Sequence, residues 1–435
     1  MTCALKKYFI LTLYEGVQLL SIPMLVFSWL YRSFGRTYPY SHKMLERFGS
    51  GISFSENKKL IWIHSVSVGE SKIAHGVHES IQKYFPAYAI HLSCTTPTAR
   101  ALHDQFSSNT LNTSVSYLPI DEYCISYQTF KRANPKLYLS VESELWINHF
   151  SNLRNLDIPV ILINARMSAT SFKRWKKFSS LFSMIANQIT LICCRGEQDY
   201  LYFSMLGMHE SKLKITGNLK YDTYEASKVQ ISKEIAKIQQ TRMPWLGAST
   251  HDGEELILAQ THVELLKKYP NALLLLAPRH PHRSEAIKQC LERLGLSVCV
   301  RSRGENLDSS HAVYLCDTLG ELGMWYRISR FAFIGGSMPP HGGGGHNPIE
   351  AVIERCPVIT GNQIWNFQEE YDLLAKARGC HIVNSPSQLT FAVLSYSASE
   401  SNLENINHHA FNIVMQQRGS IDKMCHAIAP WLPLK

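Results

Sequence analysis

The 435-residue sequence has no CxxC pair and no Cys/His spacing that would hold a metal. Its eleven cysteines are scattered, which fits a reduced compartment with free thiols better than a disulfide framework. There is no Walker loop, no arrangement resembling a Ser–His–Asp triad, no internal repeat and no low-complexity tract beyond one glycine run. Charged residues are only 18% of the chain against 45% hydrophobic, which excludes a disordered protein. The formal charge of +9 is too diffuse for a nucleic-acid partner. It suits an anionic membrane surface or phosphorylated substrates. The length predicts two or three domains, each able to bury a core.

The most informative segment is Gly335–Glu350, which links the strand-like run Phe331–Ile334 to a helical pattern. Glycines between a strand and a helix let backbone N–H groups face an anion, and the helix terminus adds positive partial charge. Asn347 is a natural N-cap and Pro348 fits the first helical position. Glu350, three residues after Asn347, fits a capping box or a ribose acceptor. The reading that competes with a phosphate site is a surface loop before a well-capped helix.

At the other end, Tyr8 to Tyr31 is apolar enough to cross a bilayer as a helix, although Glu15, Gln18 and Pro23 interrupt it. No small-residue cleavage site follows, so a retained single-pass anchor over residues 1–35 is expected rather than a signal peptide. Arg32, Arg36, Lys43 and Arg47 outnumber Lys6 and Lys7, which places the body on the cytoplasmic side.

Beyond residue 35, strand-like runs alternate with helical patterns, the signature of parallel α/β sheets. Runs at 60–64, 89–93, 136–140, 160–164 and 190–194 form one set. Runs at 244–249, 272–277, 298–301, 312–315, 331–334 and 357–360 form a second, after a polar connector at 224–240. The expected domains are 36–228 and 229–435. Open α/β sheets bind ligands at the carboxyl ends of their strands, so the polar residues there are the site candidates. Glu70 follows the first strand, as either a proton acceptor or a complement to a helix N-terminus. Glu142 and Glu144, two apart, share a face if the chain is extended. Arg166 and Lys220 add positive charge at the ends of later strands. Arg279 ends a strand of the second set, as a phosphate clamp or a surface ion-pair partner. Ser171–Phe178 interleaves four cations with three aromatics, as a headgroup contact or an ordinary amphipathic helix.

Taken in order, the strand-end segments resemble the bacterial transferases of 3-deoxy-D-manno-octulosonic acid (Kdo). The segments are WIHSVSVGE (62–70), TTPTA (95–99), ESELW (142–146), NARMS (164–168), GNLKYD (217–222), ASTHDGEE (248–255), APRHPHR (277–283), DTLGEL (317–322), FIGGS (333–337), GGHNPIEA (344–351) and NFQE (366–369). The resemblance implies a GT-B-type glycosyltransferase with two Rossmann-like domains facing a cleft. The acceptor half is N-terminal and the half binding the CMP-sugar is C-terminal. It implies inverting transfer of Kdo from CMP-Kdo to the lipid A precursor at the inner membrane, without metal or other cofactor. Glu70 takes the role of catalytic base. The implied CMP contacts are Pro278, Arg279, Leu319, Gly320, Glu321, Asn347, Pro348, Ile349 and Glu350, while Glu142, Arg166 and Lys220 are candidates for the acceptor side. Here the sequence departs from the family in a longer glycine-rich loop at 338–345 and in Ser143 within ESELW. How many Kdo residues are added stays open. Two other readings are a nucleotide-sugar enzyme of the same fold, such as an epimerase, and a non-catalytic membrane adaptor.

Overall fold

The computed structural model of the chain describes residues 41–50, 52, 58–338 and 343–433, with Tyr14 and Gly16. Two compact units share it: Met1–Thr223 with Arg418–Lys435, and Tyr224–Gln417.

Among the described residues the first unit holds seven strands: β1 (Lys59–His64), β2 (Tyr88–Cys94), β3 (Thr113–Tyr117), β4 (Leu137–Val141), β5 (Val160–Ala165), β6 (Leu191–Cys194) and β7 (Leu213–Ile215). They pair in the order β3-β2-β1-β4-β5-β6-β7, and every pairing is parallel. β2, β4, β5 and β6 are buried at every position, as expected of a sheet covered on both faces. Alternation sorts the side chains. Ile61, Ile63, Leu139 and Ile163 join Ile73, Val77 and Ile81 of helix Val68–Tyr84 on one face. Trp62, Tyr138 and Leu162 join Phe130 and Phe150 on the other.

The second unit repeats the plan with β8 (Met243–Thr250), β9 (Ala272–Pro278), β10 (Val298–Val300), β11 (Val313–Leu315), β12 (Ala332–Ile334), β13 (Val358–Thr360) and β14 (Cys380–Ile382). Their order is β10-β11-β9-β8-β12-β13-β14, again all parallel. Each sheet thus reverses direction next to its first strand, between β1 and β4 and between β8 and β12. β3 and β14 were not expected from sequence. Both are edge strands, and neither is fully buried, so neither carries an apolar run.

The second expected domain, 229–435, extends too far. Helix Ser420–Ile428 returns to the first unit, where Ile421, Met424, Cys425 and Ile428 join the core face of β1. Asp222 fixes the return: its carboxylate accepts from the N–H groups of Gly419 and Ile421, both at 2.7 Å. Gly217 lies beside the same turn at φ +97°, where a Cβ would collide with Ser420. The anchor expected over 1–35 lies outside the described residues apart from Tyr14 and Gly16. Among the described residues no helix is long and apolar enough to cross a membrane.

Asp222→Ala leaves the start of helix Ser420–Ile428 without its cap. A stability loss of about 2 kcal/mol is expected in chemical denaturation. A wild-type midpoint and slope would show that the C-terminal segment is held by apolar packing alone.

Candidate active site

The reversal between β1 and β4 gathers the carboxylates of the first unit. Ser67 caps helix Val68–Tyr84 and accepts from the Glu70 N–H at 3.3 Å. The Glu70 carboxylate reaches back, accepting from the Val66 N–H and the Ser67 hydroxyl, each at 2.8 Å. This is close to a reciprocal capping box, so the helix-terminus role of Glu70 is real. It does not exhaust the group, since a carboxylate has about four acceptor sites. Burial raises the Glu70 pKa above the ordinary carboxylate value. The hydrogen bonds from Val66 and Ser67 oppose the shift, and the charge of Glu142 adds to it.

The chain is not extended at Glu142, contrary to expectation: it turns there with φ +62°. Glu142 and Glu144 therefore do not share a strand face. They remain electrostatic neighbours of Glu70. Burial, then the charges of Glu70 and Glu142, raise the Glu144 pKa. Loops following β4, β5 and β7 are stitched together here. Ser143 bonds both the N–H and the carbonyl of Arg166. Asn164 accepts from the Leu219 N–H at 2.9 Å. Lys220 approaches Glu142 at 4.0 Å. The structure thus brings Glu70, Glu142, Arg166 and Lys220 to one edge of the first sheet, and it adds Glu144.

Behind the Glu70 turn lies a polar cluster that the sequence did not disclose. His103 Nε2 meets the hydroxyls of Ser65 and Ser71 at 3.0 and 3.3 Å, and its Nδ1 meets His75 at 2.8 Å. His64 Nδ1 meets the Ser93 hydroxyl at 3.0 Å. Burial foremost lowers His64, His91 and His103 to about 3, and His75 and His78 to about 4, from 6.5. The unfolded chain therefore binds more protons than the folded one below 6.5. Stability from keeping these rings neutral is complete above about pH 6.5 and is lost as pH falls from there toward 3–4. The melting temperature should drop steadily across that window. A flat profile from pH 6.5 to 4.5 would show that the cluster does not govern acid stability.

In the second unit, loops after β9, β11 and β12 carry the candidates. Pro278 is the last residue of β9. Arg279 is exposed and has no ion pair among the described residues; its N–H donates to Thr250 at 3.0 Å. The surface ion-pair reading of Arg279 is therefore not realised, and its fork is open to a ligand. Leu319 is 81% exposed and Gly320 sits at φ +85° with open space about it. Glu321 is engaged: Arg301 holds it bidentately at 2.9 and 3.2 Å, and Thr318 donates to it as well. Burial of a further carboxylate, Asp317, is compensated by the Ser302 N–H and hydroxyl at 2.9 and 2.7 Å.

Asn347 accepts from the Ile349 N–H at 3.0 Å, but the helix begins one residue later than expected, at Ile349, with Pro348 rather than Asn347 at the N-cap position. Pro348 and Ile349 are buried beneath it. Glu350 is exposed and makes no capping box, which leaves its carboxylate free among the described residues. The glycine loop itself needs a correction. The amides that open it, of Gly336, Ser337 and Met338, do not await a phosphate, because buried Glu254 already fills them. Glu254 accepts from His251 N–H and Gly336 N–H through one oxygen, at 2.9 and 2.8 Å, and from Ser337 and Met338 N–H through the other, both at 3.0 Å. On this edge Arg279 is exposed and carries no ion pair among the described residues. A carboxylate directly after the glycine of ASTHDGEE was visible in the sequence, but nothing there pointed it at a loop more than eighty residues away.

Among the described residues no group of three or more His, Cys, Asp or Glu is placed to hold a metal ion.

The family model described as 3-deoxy-D-manno-octulosonic-acid transferase (kdotransferase) matches residues 42–223. A 3-deoxy-D-manno-octulosonic acid transferase of Haemophilus influenzae is 34% identical, over 90% of this chain and 92% of its own. One from Rickettsia bellii is 29% identical over 90% of this chain and 92% of its own. Among solved structures, the UDP-GlcNAc 2-epimerase from Neisseria meningitidis bound to UDP-GlcNAc matches with a TM-score of 0.56. It is 15% identical and covers 85% of this chain and 100% of its own. That likeness concerns the fold alone.

Proposed function

The chain belongs to the Kdo transferase family, and from that premise we propose that it moves Kdo from CMP-Kdo to a lipid A precursor. It is a glycosyltransferase, and Kdo transfer in lipopolysaccharide biosynthesis is its reaction. The observation that carries the finer reading is the division of chemistry between the two sheets. The first presents Glu70 with a raised pKa at its reversal; the second presents Arg279, without an ion pair among the described residues and close enough to His346 to act on it electrostatically.

In this reading an acceptor hydroxyl attacks the anomeric carbon and the new C–O bond forms with inversion. The bond from that carbon to the CMP phosphate oxygen breaks, and its electron pair stays on the phosphate. The hydroxyl proton passes to Glu70, whose remaining lone pairs face no protein donor among the described residues. Glu142, Arg166 and Lys220 orient the acceptor. Arg279, Gly320, Asn347 and their neighbours hold CMP, and no metal or organic cofactor is needed. The epimerase reading rests on fold likeness at 15% identity and is not taken up.

Purified protein given CMP-Kdo and a tetraacylated lipid A precursor should yield Kdo-bearing lipid by mass spectrometry. Glu70→Gln should bind CMP normally and turn over about 10²–10⁴-fold more slowly. Arg279→Ala should show the opposite pattern, with CMP affinity reduced roughly tenfold or more. Near wild-type turnover by Glu70→Gln would remove it as the base and make Glu144 the next carboxylate to test.

We place the protein at the cytoplasmic face of the bacterial inner membrane. Helix Ala169–Lys177 supports a surface contact, since Lys173, Arg174, Lys176 and Lys177 are all exposed. Its aromatics divide. Phe172 stacks on Tyr202 at 4.5 Å and Trp175 packs on Phe182 at 5.6 Å, while Phe178 is 58% exposed. Protein starting at Arg36 should bind anionic vesicles and release them as salt rises. Salt-insensitive binding, or binding unchanged after neutralising those four cations, would contradict this.

A further inference from the structure

The reversal of the second sheet carries a group that the reaction above does not use. His251 follows β8 directly, and His346 lies in the loop after β12, so the two residues flank the reversal. Their Nε2 atoms are 2.8 Å apart. Gly336, at φ +67°, lets them settle over the backbone: a Cβ there would meet His346 Cδ2 at 3.0 Å and His251 Cδ2 at 3.4 Å. The pair is built rather than incidental. Glu254 binds the N–H groups of both His251 and Gly336, Gly345 N–H donates to the Gly336 carbonyl at 2.7 Å, and Tyr371 donates to the His346 carbonyl at 2.9 Å.

In the neutral pair one ring donates its Nε2–H to the other's Nε2, and the accepting ring carries its own proton at Nδ1. One further proton, at the donor ring's Nδ1, makes the shared bond charge-assisted; another would break it. Neither Nδ1 has a protein partner among the described residues. Open ligand sites surround the pair. Arg279 bears on His346 electrostatically, the His280 ring lies 5.8 Å from that of His251, and Asn347 is the next residue in the chain. His282 is 5.6 Å beyond His280. Of the acids on this edge, Asp252 and Glu255 pair with Arg283 at 2.7 and 2.9 Å and Glu254 is filled by amides, while Glu350, four residues after His346, is exposed to solvent. Burial first, then His251 and Arg279, hold His346 down at about 4. The empty site thus has room for a proton at neutral pH, and an arriving anion reverses the balance that keeps it off.

We propose that His251 and His346 form a proton-binding pair that gains one proton when the nucleotide phosphate seats beside Arg279, and that the added charge steadies the phosphate as it leaves the sugar. The inference rests on the CMP-binding reading above. The proton comes from solvent on binding and returns to it when CMP departs. In the chemical step the electron pair of the broken C–O bond remains on the phosphate, which becomes one unit more negative opposite the pair.

Calorimetric titration of the full chain in detergent with CMP at pH 7.5, where a phosphate monoester is already mostly a dianion, counts the protons exchanged when repeated in buffers of different ionisation heat. Wild-type protein should take up close to one proton per CMP bound and none with cytidine. His251→Gln and His346→Gln should lose the uptake and bind CMP roughly tenfold more weakly, with cytidine affinity unchanged as the sign of an intact site. CMP binding to wild-type protein with equal heat in every buffer would overturn the pair and leave the CMP site standing. Uptake that persists undiminished in both variants would overturn it as well. No binding of CMP to wild-type protein at all would overturn the donor site itself, and this inference with it.

Discussion

The reversal of strand order beside the first strand of each sheet is the constraint on which the rest depends. All pairings are parallel, so every strand needs a crossover and every carboxyl end points to the same edge. Where the order reverses, the helices that follow neighbouring strands leave toward opposite faces, and a gap opens at that edge. β1 and β4 flank one gap, β8 and β12 the other. Glu70, Glu142 and Glu144 crowd the first, and His251, His346 and the glycine loop crowd the second. Strained backbone accumulates at the same places: Glu142, Asn164 and Ser249 have φ of +62°, +53° and +54° at or just after strand ends. Such conformations cost of order 1–2 kcal/mol each and persist where the surroundings over-determine them.

Internal carboxylates do the over-determining. Glu254 satisfies four amides from two segments, and Asp222 satisfies two at the start of a helix from the far end of the chain. Bonds of this charged kind contribute about 1.5–3 kcal/mol each when made, and leaving the amides bare in the interior would be costly. One consequence is electrostatic. A buried anion under the glycine loop disfavours a second anion at the same amides. A phosphate at this edge needs cations supplied from elsewhere, and Arg279 and the histidines are the groups at hand.

Much of the architecture was legible because parallel strands buried on both faces must be written as continuous apolar runs. β1, β5, β9 and β12 are such runs, and their polar ends marked the site loops. The edge strands β3 and β14 carry no such run, because only part of each is buried. The return of helix Ser420–Ile428 was hidden too. Its apolar pattern says that it packs, but only the Asp222 contact says on which unit. Site residues separated in the same way. Glu70, Arg279 and Asn347 announce themselves by type and position. Glu142 did so with the wrong backbone, since strand alternation does not foresee a left-handed turn. Glu254, Arg301 and the His251–His346 pair depend on contacts between distant segments, which periodicity cannot express.

The two gaps are lined by different groups, carboxylates around Glu70 at one and Arg279 with the histidine pair at the other, and the proposed chemistry asks for that. Removing a proton from a hydroxyl favours a base that is not too weak, and burial foremost, with neighbouring carboxylate charge added to it, raises the proton affinity of Glu70 and Glu144. Releasing a phosphate favours fixed positive charge where the electron pair arrives. A single edge could not serve both needs well. A cation close to Glu70 would lower its basicity, and a carboxylate close to the phosphate would oppose its departure. Lys220 approaches Glu142 at 4.0 Å but is not among the groups that shift Glu70. Placing each demand on its own sheet lets the environment of one group be tuned without spoiling the other, which is a physical reason for a chain built from two copies of the same plan.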